Sequence, residues 1–306
     1  MAMKFLRPAA LAGLLLLLLT AAGPGQCAEQ FRLNRQYRPG DHYNMKVYSH
    51  YQITQQTPEG TLEMAMVYGY GFDFETLSVD KRRNSVNRIR LHSMLLRLNT
   101  PLGTLLDFDS TDPFRRETEE NMIYAALIGF GYEVKSNAAG RVTSVKGIKE
   151  MLKKLDRTLP DSTKKKEALK NLKEQFNYQS MAGVADNLSL YPAHPVAVGE
   201  SWQGINRFMA SGVLMMSEDR YEILERRDGR VRIGVTSTVK PGLTNGPRNM
   251  EIGGRQWGEI EILEANGWVN RLHLRQQISG SPAGSAPDAP GQFQMQGTVI
   301  LEPFPE

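Results

Sequence analysis

The sequence predicts a mainly β (α+β) fold, with long antiparallel strands in a curved sheet and a helical segment in the middle of the chain. Three observations carry this reading. Two separate stretches alternate apolar and polar residues with period two, turn signals divide each stretch into hairpins, and the segment between them changes to helical spacing.

From Tyr43 to Thr54, Tyr43, Met45, Val47, Tyr51 and Ile53 share one face, while Asn44, Lys46, His50, Gln52 and Thr54 share the other. After Pro58-Glu59-Gly60 the alternation resumes with Leu62, Met64, Met66, Tyr68, Tyr70, Phe72 and Phe74. A Pro-x-Gly turn between two such runs reads as an antiparallel hairpin. Each strand runs about 12 residues, roughly 40 Å at ~3.3 Å per residue, and long one-sided strands suit a strongly curved sheet. The second β stretch begins near Trp202. Tyr221 to Glu225, the turn Asp228-Gly229, and Val231, Ile233, Val235 and Val239 make one hairpin. Ile260 and Ile262, the turn Ala265-Asn266-Gly267, and Val269, Leu272, Leu274 and Ile278 make another. Ser281 to Gly291, rich in proline and small residues, is a loop before a last strand, Gln292 to Leu301. Between the two stretches, Ile148, Met151, Leu152 and Leu155 fall at i, i+3, i+4 and i+7, and Leu169, Leu172 and Phe176 follow the cap candidates Asp161 and Ser162. Two or three helices should therefore fill Gly147 to Leu190.

One internal correspondence stands out. Gly40-Asp41-His42-Tyr43 opens the first β stretch and Gly199-Glu200-Ser201-Trp202 opens the second, both as Gly, acid, any residue, aromatic. Ala138-Ala139-Gly140-Arg141-Val142 and Ala265-Asn266-Gly267-Trp268-Val269 form a second pair in the same order. Together they suggest a pseudo-duplicated β architecture, against the simpler reading that any antiparallel sheet reuses such turns. The organisation expected is a signal peptide over 1–27, an N-terminal β region over 28–146, a helical segment over 147–190 and a C-terminal β region over 191–306. Residues 28–306 should form one integrated domain.

The export signal rests on Lys4 and Arg7, the apolar run Leu11 to Thr20, and the small-residue stretch Gly23 to Ala28. The apolar run is shorter than the ~20 residues of a spanning helix, so no transmembrane segment is expected once the leader is removed. Localisation in the periplasm or outside the cell follows. A lipid anchor at Cys27 is the alternative, although Pro24-Gly25-Gln26 lacks the pattern that a lipidation signal wants. Removing Lys4 and Arg7 leaves 35 basic against 33 acidic residues, a net +2 that argues against a nucleic-acid partner. The single cysteine excludes an internal disulfide framework.

The chain carries no hydrolase elbow, phosphate-binding glycine loop, His-Glu-x-x-His or dinucleotide fingerprint, and neither catalytic residues nor a cofactor is expected. His42 and His50 lie on one strand face but roughly 26 Å apart at ~3.3 Å per residue, too far to share an ion. These two, and His273, read as solvated. Gly69-Tyr70-Gly71 and Gly129-Phe130-Gly131 read as bulges or close backbone approaches within strands. Asp107, Asp109 and Asp112 form the best candidate for calcium, because alternating oxygen side chains suit a hard cation. They lack a central glycine and a distal bidentate glutamate, and a turn bonding its own backbone explains them more cheaply, so no metal site is assigned. Lys153, Lys154 and Lys164 to Lys166 form a basic helix face, either solvated or facing an anionic lipid or polymer. Met45, Met64, Met66, Met209, Met215 and Met216 are strand residues that fill core or line a surface able to accommodate varied acyl chains.

Tyr191 to Trp202 resembles the signature Leu-Pro-x-x-Pro-Val-x-Val-Gly-(acid)-x-Trp of a family of exported bacterial proteins known only as a domain of unknown function. Pro192, Pro195, Val196, Val198, Gly199, Glu200 and Trp202 match, and Tyr191 replaces the leucine. The likeness continues in the Phe108 to Ser110 stretch and the Gly140 to Gly147 run. It implies no activity. Physically, Pro192 and Pro195 favour an extended approach, Gly199 permits the turn, and Trp202 offers an anchor. More distantly, long one-sided strands around helices are similar to the half-barrels of periplasmic lipoprotein carriers, a likeness of architecture alone.

The function expected is therefore non-enzymatic binding of a hydrophobic or lipid-like ligand in the cell envelope. The alternative is a structural or protein-interaction module of the envelope whose core is filled by its own side chains. The partners implied are a lipid or acyl chain in the first case and an envelope protein in the second. The mature chain should begin at Ala28 or Glu29; N-terminal sequencing of the exported protein checks this, and a start before Leu19 would contradict the export reading.

Overall fold

The computed structural model describes residues 29–304, apart from 117, 119–120, 139, 160, 162–164, 167–168, 171–172, 174–189, 211–212, 242–249, 283 and 285–288. The leader, Ser162, Lys164, Leu172 and Phe176 lie outside the described residues.

The described chain builds one twelve-stranded, curved antiparallel sheet. Its first half contains β1 (His42–Thr57), β2 (Gly60–Val79), β3 (Ser85–Thr100), β4 (Gly103–Asp109), α1 (Pro113–Arg116), α2 (Met122–Ala125), β5 (Gly131–Ser136), β6 (Val142–Lys146) and α3 (Ile148–Thr158). The second half contains β7 (Ser201–Ala210), β8 (Val213–Arg227), β9 (Arg230–Pro241), β10 (Met250–Leu263), β11 (Val269–Pro282) and β12 (Phe293–Pro303). The strand order is β6-β5-β3-β2-β1-β12-β11-β10-β9-β8-β7, with β4 also paired to β3. Each half is a meander, and β1 and β12 join them in register from Met45↔Pro303 to Gln55↔Phe293.

Alternation explains the hairpins. In β9, Val231, Ile233, Val235 and Val239 are buried on one face while Arg230 and Arg232 are exposed on the other. The β8–β9 turn has positive φ at both Asp228 (51°) and Gly229 (71°), the mirror-image turn whose twist matches paired strands. On the buried face of the first half, α3 lays Met151 and Leu155 against Leu91, Met94, Leu96 and Phe108. In the second half an extended strap takes that role: Phe31 and Leu33 pack with Val196 onto Tyr221, Ile223, Val231, Ile233, Ile260 and Ile262. Phe31 and Val196 exchange backbone hydrogen bonds of 2.9 Å in both directions.

The two openings proposed to correspond are built alike. Gly40 and Gly199 both have φ +87°. Gly40 donates its N–H to Thr76 O while Thr76 N–H returns to Asp41 O; Gly199 donates to Ile223 O while Ile223 N–H returns to Glu200 O. In each, the acid's carboxylate accepts a backbone N–H three residues earlier, Arg38 to Asp41 Oδ2 and Ala197 to Glu200 Oε2, both at 2.9 Å. The partner strand then bulges, between Thr76 and Ser78 in one half and between Ile223 and Glu225 in the other. A shared turn alone would not reproduce the bulge.

The buried tryptophan anchor is Trp268, not Trp202. Trp202 is partly exposed and stacks on Tyr221 at 5.4 Å, whereas Trp268 is 2% exposed. Its ring is stacked with Tyr43 at 3.7 Å and carries the Arg35 guanidinium 3.4 Å from its centroid, so one indole ties the strap, β1 and the β10–β11 turn together. Gly267 before it has φ +71°, and a Cβ there would stand 2.3 Å from Asn34 O, so only glycine fits against the strap. Trp268→Ala should cost about 3–5 kcal/mol and Trp202→Ala about half of that, read as the shift in denaturant midpoint of each variant.

Candidate functional site

Across the buried face, the strand registers align one transverse row: Gly204↔Asp219↔Ser237↔Gln256↔Gln276↔Gly297↔Tyr51↔Met66↔Leu98. From Asp219 to Tyr51 this row is polar or glycine, set between apolar rows. Gln256 Nε2 donates to Ser237 Oγ (3.1 Å), Gln276 Nε2 donates to Gln256 Oε1 (2.9 Å), and the Tyr51 hydroxyl donates to Gln276 Oε1 (2.8 Å). Tyr51 sits on β1 and Gln276 on β11, two strands away. The reach depends on Gly297 between them, where a Cβ would lie 2.3 Å from the Tyr51 ring. Gly204 does the same for Tyr221, with a Cβ position 3.0 Å from Cε2.

At the β8 end, Asp219 Oδ2 accepts the Tyr221 hydroxyl at 2.9 Å and the Asn206 amide, which also donates to Tyr221 Oη at 2.8 Å. Asp219 is 3% exposed and Ser217, two residues earlier on the same face, 1%. Asp219 Oδ1 and Ser217 Oγ are buried with no hydrogen-bond partner among the described residues. Burial raises the Tyr221 phenol above its ordinary range, and the Asp219 carboxylate beside it raises it further.

At the other end lies an apolar floor. Val47, Tyr51 and Ile53 of β1, Met64 and Met66 of β2, and Val299 of β12 are partly exposed on the same face and belong to none of the packed clusters found among the described residues. They occupy the middle of the sheet, between the part covered by α3 and the part covered by the strap. Tyr68 beside them meets Tyr51 edge-on at 6.1 Å and donates to Met66 Sδ at 2.7 Å. Burial pushes the Tyr68 and Tyr70 phenols up to about 12. Hydrogen-bond donors and acceptors embedded in hydrocarbon bind strongly because water competes poorly there, which suits recognition of an amphiphile.

The structure spreads the residues of the sequence signature along the strap's contact and the β7 opening. Val196 is fully buried against Phe31, Val198 is 49% exposed, Gly199 makes the positive-φ turn, Glu200 caps Ala197, and Pro192 and Pro195 are partly buried. None of them lies on the transverse row. Asp107 pairs with Arg97 and Arg115 at 3.1 Å, Asp109 accepts the Thr111 N–H and hydroxyl, and Asp112 accepts the Phe114 N–H. Their oxygens thus face arginines and their own turn, and no group of three or more metal ligands occurs among the described residues. Gly71 lies opposite a bulge at His92 of β3, whereas Gly129 sits before β5 with φ +81° and not within a strand. Sequence reasoning missed the polar row. Its one signal is that Ser237, Gln256 and Gln276 occupy inward positions of strands otherwise apolar there.

No helix among the described residues is long and apolar enough to cross a membrane. No curated protein matches the chain. Among solved structures, one of lipovitellin, described under lipid–protein interactions, is 9% identical over 88% of this chain and 26% of its own, with a TM-score of 0.48. The chain thus spans about a quarter of lipovitellin's length. An outer-membrane channel from Pseudomonas putida F1 is 7% identical over 92% of this chain and 100% of its own, with a TM-score of 0.24. DynF, from the dynemicin biosynthesis pathway of Micromonospora chersina, is 8% identical over 94% and 92%, with a TM-score of 0.22. The family described as Family of unknown function (DUF6263) matches residues 87–269, and the chain belongs to it.

The tyrosines give the site a pH signature. A phenol whose pKa is higher folded than unfolded keeps its proton longer in the folded state, so its stabilising contribution is complete below pH 10 and is lost as pH rises toward 12. Unfolding free energy should therefore fall between about pH 10 and 12, and Tyr68→Phe should flatten that fall; denaturant titrations at fixed alkaline pH values measure both.

Proposed function

We propose that this member of the family is an exported, non-enzymatic envelope protein that holds a hydrophobic or lipid-like ligand against the buried face of its sheet. The observation that carries the reading is the floor of Val47, Tyr51, Ile53, Met64, Met66 and Val299, apolar side chains that face inward yet join no packed cluster among the described residues. Apolar surface of this kind gains free energy by burial, at roughly 25 cal/mol per Å². Methionines suit a ligand of variable shape, since an unbranched thioether adapts its rotamers at small cost. The polar row at the floor's edge fixes orientation: Tyr51, Gln276 and Gln256 form one hydrogen-bonded line. Release to the periplasm or outside the cell after removal of the leader fits this role, because an apolar ligand there needs a protein cover in water.

Mass spectrometry of protein purified from its native envelope should find co-purified lipid. Met66→Glu, which sets a charge on the floor at a partly exposed position, should weaken binding of a fluorescent acyl probe by about tenfold or more, while thermal unfolding shifts little. Absence of lipid together with unchanged probe behaviour in the variant would leave the filled structural module as the function.

A further inference from the structure

The far end of the polar row carries a feature that a hydrophobic ligand alone does not use. Asp219 is 3% exposed, and only one of its carboxylate oxygens is engaged, by Tyr221 and Asn206. Among the described residues Oδ1 has no partner, nor has Ser217 Oγ on the same face of the same strand. Both partners of Oδ2 are neutral. The charged neighbours point to the opposite face, where Lys240 pairs with Glu218 and Arg220 with Glu222. Asp219 forms none of the ion pairs found among the described residues.

Buried charges are ordinarily paired, and buried acceptors are ordinarily bonded. A carboxylate oxygen accepts only, so the group that completes Asp219 is a hydrogen-bond donor, and the missing counter-charge makes it a cationic one. Ser217 Oγ adds a second contact that can accept from the same group. The row that contains Ser217 continues across the sheet as Val239, Gly254, Ile278, Met295, Ile53 and Met64, with Val239, Ile278 and Met295 packed against Met215 and Phe293, and Ile53 and Met64 on the floor. We propose that Asp219 and Ser217 form a headgroup site for a protonated amine, so that the ligand is an amphiphile with an ammonium group bound at β8 and an apolar tail directed toward the floor. The inference rests on the ligand-binding reading above and adds the chemistry of the head.

Three probes of equal chain length test it: hexadecylamine, hexadecanol and hexadecanoate, each titrated against the purified full chain by displacement of a fluorescent acyl probe. Wild type should bind the amine at least tenfold more tightly than the alcohol, and the acid most weakly. Asp219→Asn keeps the shape and the acceptor for Tyr221 but removes the charge, and should erase the amine preference while alcohol binding stays within about threefold. Ser217→Ala should weaken amine binding severalfold without reversing the order. Equal binding of the three probes by wild type, or an undiminished amine preference in Asp219→Asn, would overturn the headgroup site and leave the apolar floor intact as a binding surface. Failure of all three probes to bind would overturn the ligand-binding reading itself, and this inference with it. The wild-type series decides even if Asp219→Asn folds poorly.

Discussion

The backbone ladder between β1 and β12 runs from Met45↔Pro303 to Gln55↔Phe293 and merges two meanders, each of which would otherwise end in an open strand edge at that point. What lies on the buried face there is a consequence of this seam. Tyr51 reaches Gln276 only because β12 is interposed with a glycine at the crossing, and Ile53 meets Met295 only because the register is the observed one. A slip by one residue would turn Tyr51, Ile53 and Val47 to the opposite face. The seam therefore sets both the continuity of the sheet and the composition of its floor.

Two solutions to the problem of a polar line in an apolar setting coexist on this face. Between Ser237 and Tyr51 the side chains satisfy one another, and such a network rigidifies the sheet at little cost. At β8 the line ends with acceptors that no described residue fills, where the neighbouring strand carries Val235 and Val239. Glycine provides the space in both places. Rings of Tyr51, Tyr221 and Phe293 lie over Gly297, Gly204 and Gly280 on adjacent strands, so aromatic bulk is placed flat on the sheet and does not stand up from it.

The hairpin of β1 and β2, and those of β8–β9 and β10–β11, were legible because period-two alternation and turn residues agree there. Strands β3 and β4 were not. The β3 ladder with β2 shifts between Gly71 and Phe72, so its inward residues change from Ile89 and Leu91 to Met94 and Leu96, and the alternation loses its parity halfway. The paired Gly-acid openings were visible as four-residue matches, but their equivalence became clear only with the bulge and the reciprocal hydrogen bonds that follow each. The polar row was half legible. A glutamine at an inward strand position is conspicuous; which glutamine faces which depends on registers between strands that no local pattern encodes. The anchor was misplaced for a related reason, since Trp202 and Trp268 both follow glycine turns and only the strap's path over the second makes it the buried one.

The same seam has a kinetic side. The partners of Met45 and Val47 are Pro303 and Leu301, so β1 waits for β12, more than 200 residues later, before its ladder can close. Until then β1 has only β2, and the strap at Phe31 and Leu33 likewise waits for partners far along the chain, Val196, Ile260 and Ile262. Contacts of such sequence separation are entropically late and slow to form. The floor on which we place the ligand, with Ile53 beside Met295, is therefore assembled only once β12 has joined β1.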